Sequence, residues 1–425
     1  MYQIIEKKEI GEKYYRTVHK SGLEITLIPK DYSQSYALFS TRYGACDNCF
    51  KLEGESEFTR VPDGIAHYLE HKMFENENGE DTFERFAKYG ADCNAFTSSN
   101  ITAYLFGCTQ NFKENLEILL DYVTKPYFTP ETVAKEQGII GQEIKMGEDN
   151  PRRMLYYNML DALYAKSQMK INVAGTVESI SHITADLLYS CYNTFYNLSN
   201  MMLVISGRAT MEEVLEVCDK VLPVKDPIKI IRSYNEEQST VNKKRVTAKY
   251  EISKPMFHIG IKNPDIKSTS EELMKQNAEY DILFELLFGK TSEFALDVYE
   301  SGLVNNFYAS FEAGQICSHG VLSGESNDPE AVYDKFVSYI ERKKSEGFSK
   351  ADFDRIKKAK FANYILSFES TRLPDSVTFY KIDNMDMFEY VDYIKAVKLE
   401  DMSALLSKLF TEDHYCMSVV EPINK

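Results

Sequence analysis

His67-Tyr68-Leu69-Glu70-His71 lies inside a longer run, Asp63 to Phe74, that reads as a helix. Asp63 is its expected N-cap, and Ile65, Leu69 and Met73 form one apolar stripe. At about 100° per residue, His67 and His71 fall one turn apart on the same face. Two imidazoles so placed are able to share one tetrahedral metal ion, and Glu70 stands beside them, within reach of a water on that ion. The order HxxEH mirrors the commoner HExxH arrangement of zinc-dependent hydrolysis.

A catalytic zinc needs a third protein ligand and one open position. Thr129-Pro130-Glu131 is a strong helix start, an N-cap followed by proline at the first helical position, and the helix it opens is expected to run to about Glu148. Glu136 and Glu143 lie seven residues apart on it and share a face. One of them is available to bind zinc and the other to hold a ligating histidine from behind. Zinc lowers the pKa of a bound water toward about 7; Glu70 then serves as the general base and returns the proton to the leaving amine. Cys46-Asp-Asn-Cys49 has no second CxxC to complete a four-cysteine site, and His19, His182, His258, His319 and His414 show no ligand-like spacing.

Outward from this helix the first half alternates strand-like and helix-like stretches. Gly22 to Pro29 and Tyr36 to Tyr43 read as strands, Asp81 to Tyr89 as a short helix ending at Gly90, and Asp92 to Ser98 and Ile101 to Gly107 as strands. An amphipathic helix carries Leu116, Leu119, Leu120 and Val123, and Ser199 to Arg208 reads as a buried strand. The second half repeats the order loosely, with a strand at Met256 to Lys262 and helices at Glu271 to Leu287 and Thr291 to Ser301. A chain of 425 residues exceeds one compact core. Two domains are expected, at 1–228 and 246–425, joined by a polar, proline-bearing linker at 229–245.

With 44% apolar and 27% charged residues the composition is that of a globular protein. A net charge of −16 argues against nucleic acid or an anionic membrane as the partner, since both attract basic surfaces. The opening MYQIIEKKEIGEKYYRTVHK lacks the apolar core of a secretory signal, no run of 18 apolar residues occurs, and the eight cysteines form no dense framework. The expected location is the reducing cytoplasm.

Several longer stretches resemble the pitrilysin–insulinase–mitochondrial processing peptidase family. They are GIAHYLEHKMFEN from Gly64, DTFERFAKYGADCNAFTSSNITAYLF from Asp81, KEQGIIGQEIKM in the 129–148 helix, and GTVESISHITADLLYSCYNTFYNLSNMMLVISGRA from Gly175. Together they cover most of residues 20–225, and the likeness is nearest to small two-domain bacterial members. The resemblance implies an α+β fold of two similar domains, each a mostly antiparallel sheet packed with helices, forming one half of a clamshell. It selects His67, His71 and Glu143 as ligands of one Zn2+ per chain, Glu70 as the base and Glu136 as the residue behind a ligand. A peptide substrate is expected to add as a strand along Cys93 to Thr97, at Asn94, Ala95 and Phe96. Tyr308, in FGKTSEFALDVYESGLVNNFYASFEAG from Phe288, is the candidate second-domain tyrosine for the oxyanion, whereas Ser292-Glu293 stands where the family commonly has an arginine after a serine.

The function these features imply is a zinc metalloendopeptidase that cleaves unfolded peptides in a closed chamber completed by a homologous subunit, as homodimer or heterodimer. Two alternatives accompany it: a catalytic subunit active only with its partner, and a non-catalytic assembly subunit.

Overall fold

The structure, a computed structural model, describes residues 1–423. The chain forms two compact units: the first gathers residues 1–144, 171–234 and 366–382, and the second gathers 145–170, 235–365 and the residues from 383 onward.

The first unit contains β1 (Gln3–Lys7), β2 (Glu12–Val18), β3 (Glu24–Pro29), β4 (Ser35–Thr41), β5 (Cys49–Leu52), β6 (Thr59–Arg60), β7 (Ala91–Thr97), β8 (Thr102–Cys108), β9 (Met201–Gly207) and β10 (Ile230–Arg232). Seven of these make one sheet in the order β1-β2-β3-β9-β4-β8-β7, antiparallel throughout except for the β3–β9 pair. Its centre is β9, MMLVISG, buried along its whole length as a continuous apolar run requires. β10, β5 and β6 form a small separate antiparallel sheet. The opening segment, which lacks the apolar core of a secretory signal, is the β1–β2 hairpin at one margin.

The second unit holds β11 (Arg245–Tyr250), β12 (Met256–Lys262), β13 (Val304–Ala313), β14 (Ser318–Ser326) and β15 (Tyr415–Pro422), in the order β11-β15-β12-β14-β13, with only β11 and β15 parallel. Read in chain order, this sheet and the β3-to-β7 part of the first are built alike: first strand, fifth, second, fourth, third. The loose repetition of pattern is therefore a true repetition of topology, α+β in both halves.

The repetition includes an exchange of helices. Pro151–Leu163, from the first half of the sequence, lies on the second unit's sheet, where Leu155 meets Met256 and Val420, and Met159 to Leu163 join Val241, Cys317 and Cys416. Leu373–Ile382, from the second half, lies on β4 and β9 of the first unit, where Ile382 joins Tyr36, Leu38, Ile101, Ala103, Leu105 and Met202. Asn150 caps Pro151–Leu163 through the N–H groups of Arg152 and Arg153, with proline at the first position.

Among the described residues no helix is long and apolar enough to cross a membrane. All eight cysteines are free thiols, including buried Cys46 and Cys49.

Candidate metal centre

The helix carrying the two histidines spans Ile65–Lys72. Its N-cap is Gly64 and not Asp63, a correction with a steric cause. Gly64 has φ +91°, and a Cβ there would stand 2.6 Å from the Ala174 carbonyl oxygen. The chain thus needs a residue without a side chain at the point where the helix seats on Ala174 and Gly175. Asp63 faces elsewhere: its carboxylate accepts from Asn48 Nδ2 at 2.8 Å and its carbonyl accepts from Ser179 Oγ at 2.8 Å. Ile65, Ala66, Tyr68, Leu69 and Met73 enter the apolar core, and Tyr68 Oη donates to the Val133 carbonyl of the neighbouring helix, Pro130–Glu148. That bond fixes the two helices side by side, so His67, Glu70 and His71 on one meet Glu136 and Glu143 on the other.

His67 Nε2 lies 3.5 Å from Glu143 Oε1, and His71 Nε2 lies 3.5 Å from Glu143 Oε2. One ligand atom from each of the three fits within a span of 4.8 Å. Ligand atoms of a tetrahedral zinc with bonds near 2.0–2.1 Å stand about 3.3 Å apart, so the three side chains fit the ion with little rearrangement. Three ligands leave a fourth position for water or substrate. The N2O donor set of two histidines and a glutamate suits zinc. The Glu143 side chain, 40% exposed, gives that position access to solvent.

The orienting contact is from His71 Nδ1 to Glu136 Oε1 at 2.9 Å. The carboxylate holds the proton on Nδ1 and leaves the Nε2 lone pair for a metal. Burial alone would lower the basicity of His71, but the hydrogen bond to Glu136 and the charges of Glu70, Glu136 and Glu143 outweigh it and raise its pKa. So many carboxylates around two imidazoles form a pocket that a cation neutralises.

Glu70, buried, carries a carboxyl pushed above its ordinary pKa by desolvation and by Glu143, against the opposing pull of Thr97 and His71. Thr97 Oγ1 donates to Glu70 Oε2 at 2.6 Å. Sequence reasoning placed Thr97 only at the end of the Cys93–Thr97 substrate edge and gave its hydroxyl no part in holding Glu70. Strand alternation would have found it, since Thr97 shares the face of Ala95, Cys93 and Ala91, which pack toward the core under the zinc helix.

Asn94, Ala95 and Phe96 lie on β7, the last strand of the seven-stranded sheet. Asn94 is exposed, its Oδ1 accepting from Ala95 N–H at 2.9 Å, and Phe96 shares the face of Asn94, opposite Ala95 and Thr97, where it stacks on Phe379 with centroids 6.0 Å apart. Tyr308 lies on β13 of the second unit, 66% exposed. Glu293 there is bonded to Arg342 and Lys343.

Comparison with known proteins gives the family of the chain. The sequence profile described as insulinase (peptidase family M16) matches residues 59–177, and the peptidase M16 inactive domain matches 182–360. The uncharacterized zinc protease YmfH of Bacillus subtilis (strain 168) is 37% identical over 429 residues, 99% of this chain and 100% of its own. The crystal structure of an M16-like peptidase from Alicyclobacillus acidocaldarius superposes with a TM-score of 0.92 at 32% identity, covering 99% of this chain and 98% of its own. A protease from Helicobacter pylori shares the fold, with a TM-score of 0.82 at 19% identity over 97% of this chain and 100% of its own. With these matches the chain belongs to peptidase family M16, the insulinase family.

Proposed function

We propose that the chain is a zinc-dependent endopeptidase acting on unfolded peptides. The observation that carries this reading is the approach of His67, His71 and Glu143 within 4.8 Å, with the buried Glu70 carboxylate alongside. Zinc held by these residues supplies Lewis-acid activation of water and of the peptide carbonyl. The remaining work falls to side chains. Glu70 takes the proton of the attacking water and gives it to the departing amine, a role suited to a carboxyl whose pKa is raised. Thr97 holds one Glu70 oxygen and leaves the other to face the substrate. Glu136 keeps His71 in the ligating tautomer. A peptide laid along the free side of β7 gains main-chain hydrogen bonds regardless of sequence, with Asn94, Ala95 and Phe96 in contact, which suits extended rather than folded substrates. The eight free thiols fit a reducing cytoplasm.

A second reading is that the chain cleaves only beside a homologous subunit, in a chamber closed by two such halves. The specific observation favouring it is Glu293, bound to Arg342 and Lys343 where a substrate-gripping arginine is expected.

The test is cleavage of a mixed peptide library, read by mass spectrometry, for zinc-loaded wild type and Glu70→Gln at equal metal content. Cleavage by wild type alone supports the assignment. Equal cleavage by both variants overturns Glu70 as base, and activity that emerges only when a homologous protein is added selects the second reading.

A further inference from the structure

Glu70 is held by Thr97, the last residue of β7, and Thr97 is only as fixed as the turn that follows it. That turn, residues 98–101, lies against another loop. Ala45 N–H donates to the Ser98 carbonyl at 2.9 Å, and Cys46 N–H donates to the Ser99 carbonyl at 2.8 Å. Between them Gly44 permits the contact: a Cβ there would stand 2.4 Å from Asn100 N. Thr102 Oγ1, just past the turn, donates to the Tyr43 carbonyl at 2.9 Å. Residues 43–46 are therefore a template on which the turn is laid.

The template has its own anchor. Asp47, 2% exposed, accepts from Gly44 N–H at 2.9 Å through Oδ2. Through Oδ1 it accepts from Arg232 Nε at 2.9 Å and from Tyr234 Oη at 2.8 Å. The Arg232 guanidinium also donates to the Arg42 carbonyl and, at 3.4 Å, to Asn200 Oδ1. Arg232 and Tyr234 come from the polar stretch that follows the first half's last helix, where β10 pairs with β5, Arg232 opposite Phe50. A guanidinium fork on one buried carboxylate and one carbonyl is a rigid joint, and lysine reproduces its charge but not its two-point geometry.

We propose that Arg232 and Asp47 are positioning residues for the general base, acting through the 44–47 loop and the 98–101 turn to hold Thr97 against Glu70. This rests on the peptidase reading for its catalytic consequence, but not for its structural one. General-base catalysis depends on placement within hydrogen-bond reach, and displacement of a reacting group by about 1 Å is able to cost on the order of a hundredfold in rate.

The experiment compares wild type with Arg232→Met, Arg232→Lys and the milder Tyr234→Phe, as full-length, zinc-loaded chain. Peptide kinetics and amide hydrogen exchange are measured on each. In Arg232→Met, kcat is expected to fall about tenfold or more with KM and zinc content unchanged. Arg232→Lys recovers part of that loss, and Tyr234→Phe gives a smaller loss of the same kind. In a Thr97→Val background, Arg232→Met adds no further loss, since both act on one contact. Amides of residues 98–102 exchange about tenfold faster in Arg232→Met while those of β9 do not change. Unchanged exchange at 98–102 in a folded variant overturns the proposal, as do losses in Thr97→Val and Arg232→Met that multiply. Should Arg232→Met fail to fold, Tyr234→Phe decides by the same two criteria. Wild type that cleaves no peptide either alone or beside a homologous subunit, with exchange responding as stated, removes the peptidase reading and leaves the positioning path in place.

Discussion

Nδ1 of His71 donates to Glu136 Oε1 at 2.9 Å while Nε2 of the same ring faces Glu143 Oε2 at 3.5 Å, so one imidazole connects two glutamates a helical stretch apart. The geometry gives the two carboxylates different places. Glu143 lies in the group of three side chains able to hold a metal, and Glu136 fixes one ring of that group.

Their substitutions should separate accordingly. Glu136→Gln is expected to keep zinc but with affinity lowered about 10–100-fold, because the amide no longer favours the ligating tautomer. Glu143→Gln should lose stoichiometric zinc. Competition with a chromogenic chelator measures both, and equal affinities in the two variants would contradict the division of roles.

Gly64 is the seat of the zinc helix, with its Cβ position filled by the Ala174 carbonyl. Gly64→Ala should destabilise the protein by about 1–3 kcal/mol through overpacking, with a further cost of roughly 1–2 kcal/mol for a side chain in the left-handed region. Metal binding should weaken in parallel, since the displaced turn carries His67. Denaturant midpoints with and without zinc report the effect; Gly138, which has open space at its Cβ position, is the control for substitution by alanine.

His258 on β12 is half-buried, and desolvation lowers its pKa to about 4. The folded form therefore stays neutral where the unfolded chain, near 6.5, takes up a proton. Stability from this group is complete above pH 6.5 and is lost as pH falls toward 4, with a slope of at most about 1.4 kcal/mol per pH unit for one proton. His258→Gln should flatten that part of the stability curve. A curve of unchanged slope in the variant would assign the acid sensitivity to other groups.

Much of the centre was legible because its parts are local. His67, Glu70 and His71 occupy one helical turn, and the spacing of Glu136 and Glu143 shows that they share a face. What that spacing left open was which glutamate binds metal; the resemblance chose Glu143, and the structure groups Glu143 with both histidines. Thr97 was harder to see, since its hydroxyl matters only through a contact across 27 residues of sequence. Asp63 misled for a related reason. Its residue type suits a cap, but the space at the helix start is decided by Ala174, more than a hundred residues on. In the fold, β9 and the amphipathic helices announced themselves through apolar pattern. The traded positions of Pro151–Leu163 and Leu373–Ile382 left no such sign, because an apolar helix face looks the same whichever sheet it covers.

That trade also sets an order of events during synthesis. All the candidate ligands have been made once residue 143 is joined to the chain, yet the face formed by β4, β8 and β9 stays bare until Leu373–Ile382 emerges. A nascent chain is thus able to gather zinc-binding side chains long before the unit around them has a finished core. Truncated products that extend past residue 143 but end short of that late helix carry the complete group of candidate ligands on an incomplete scaffold.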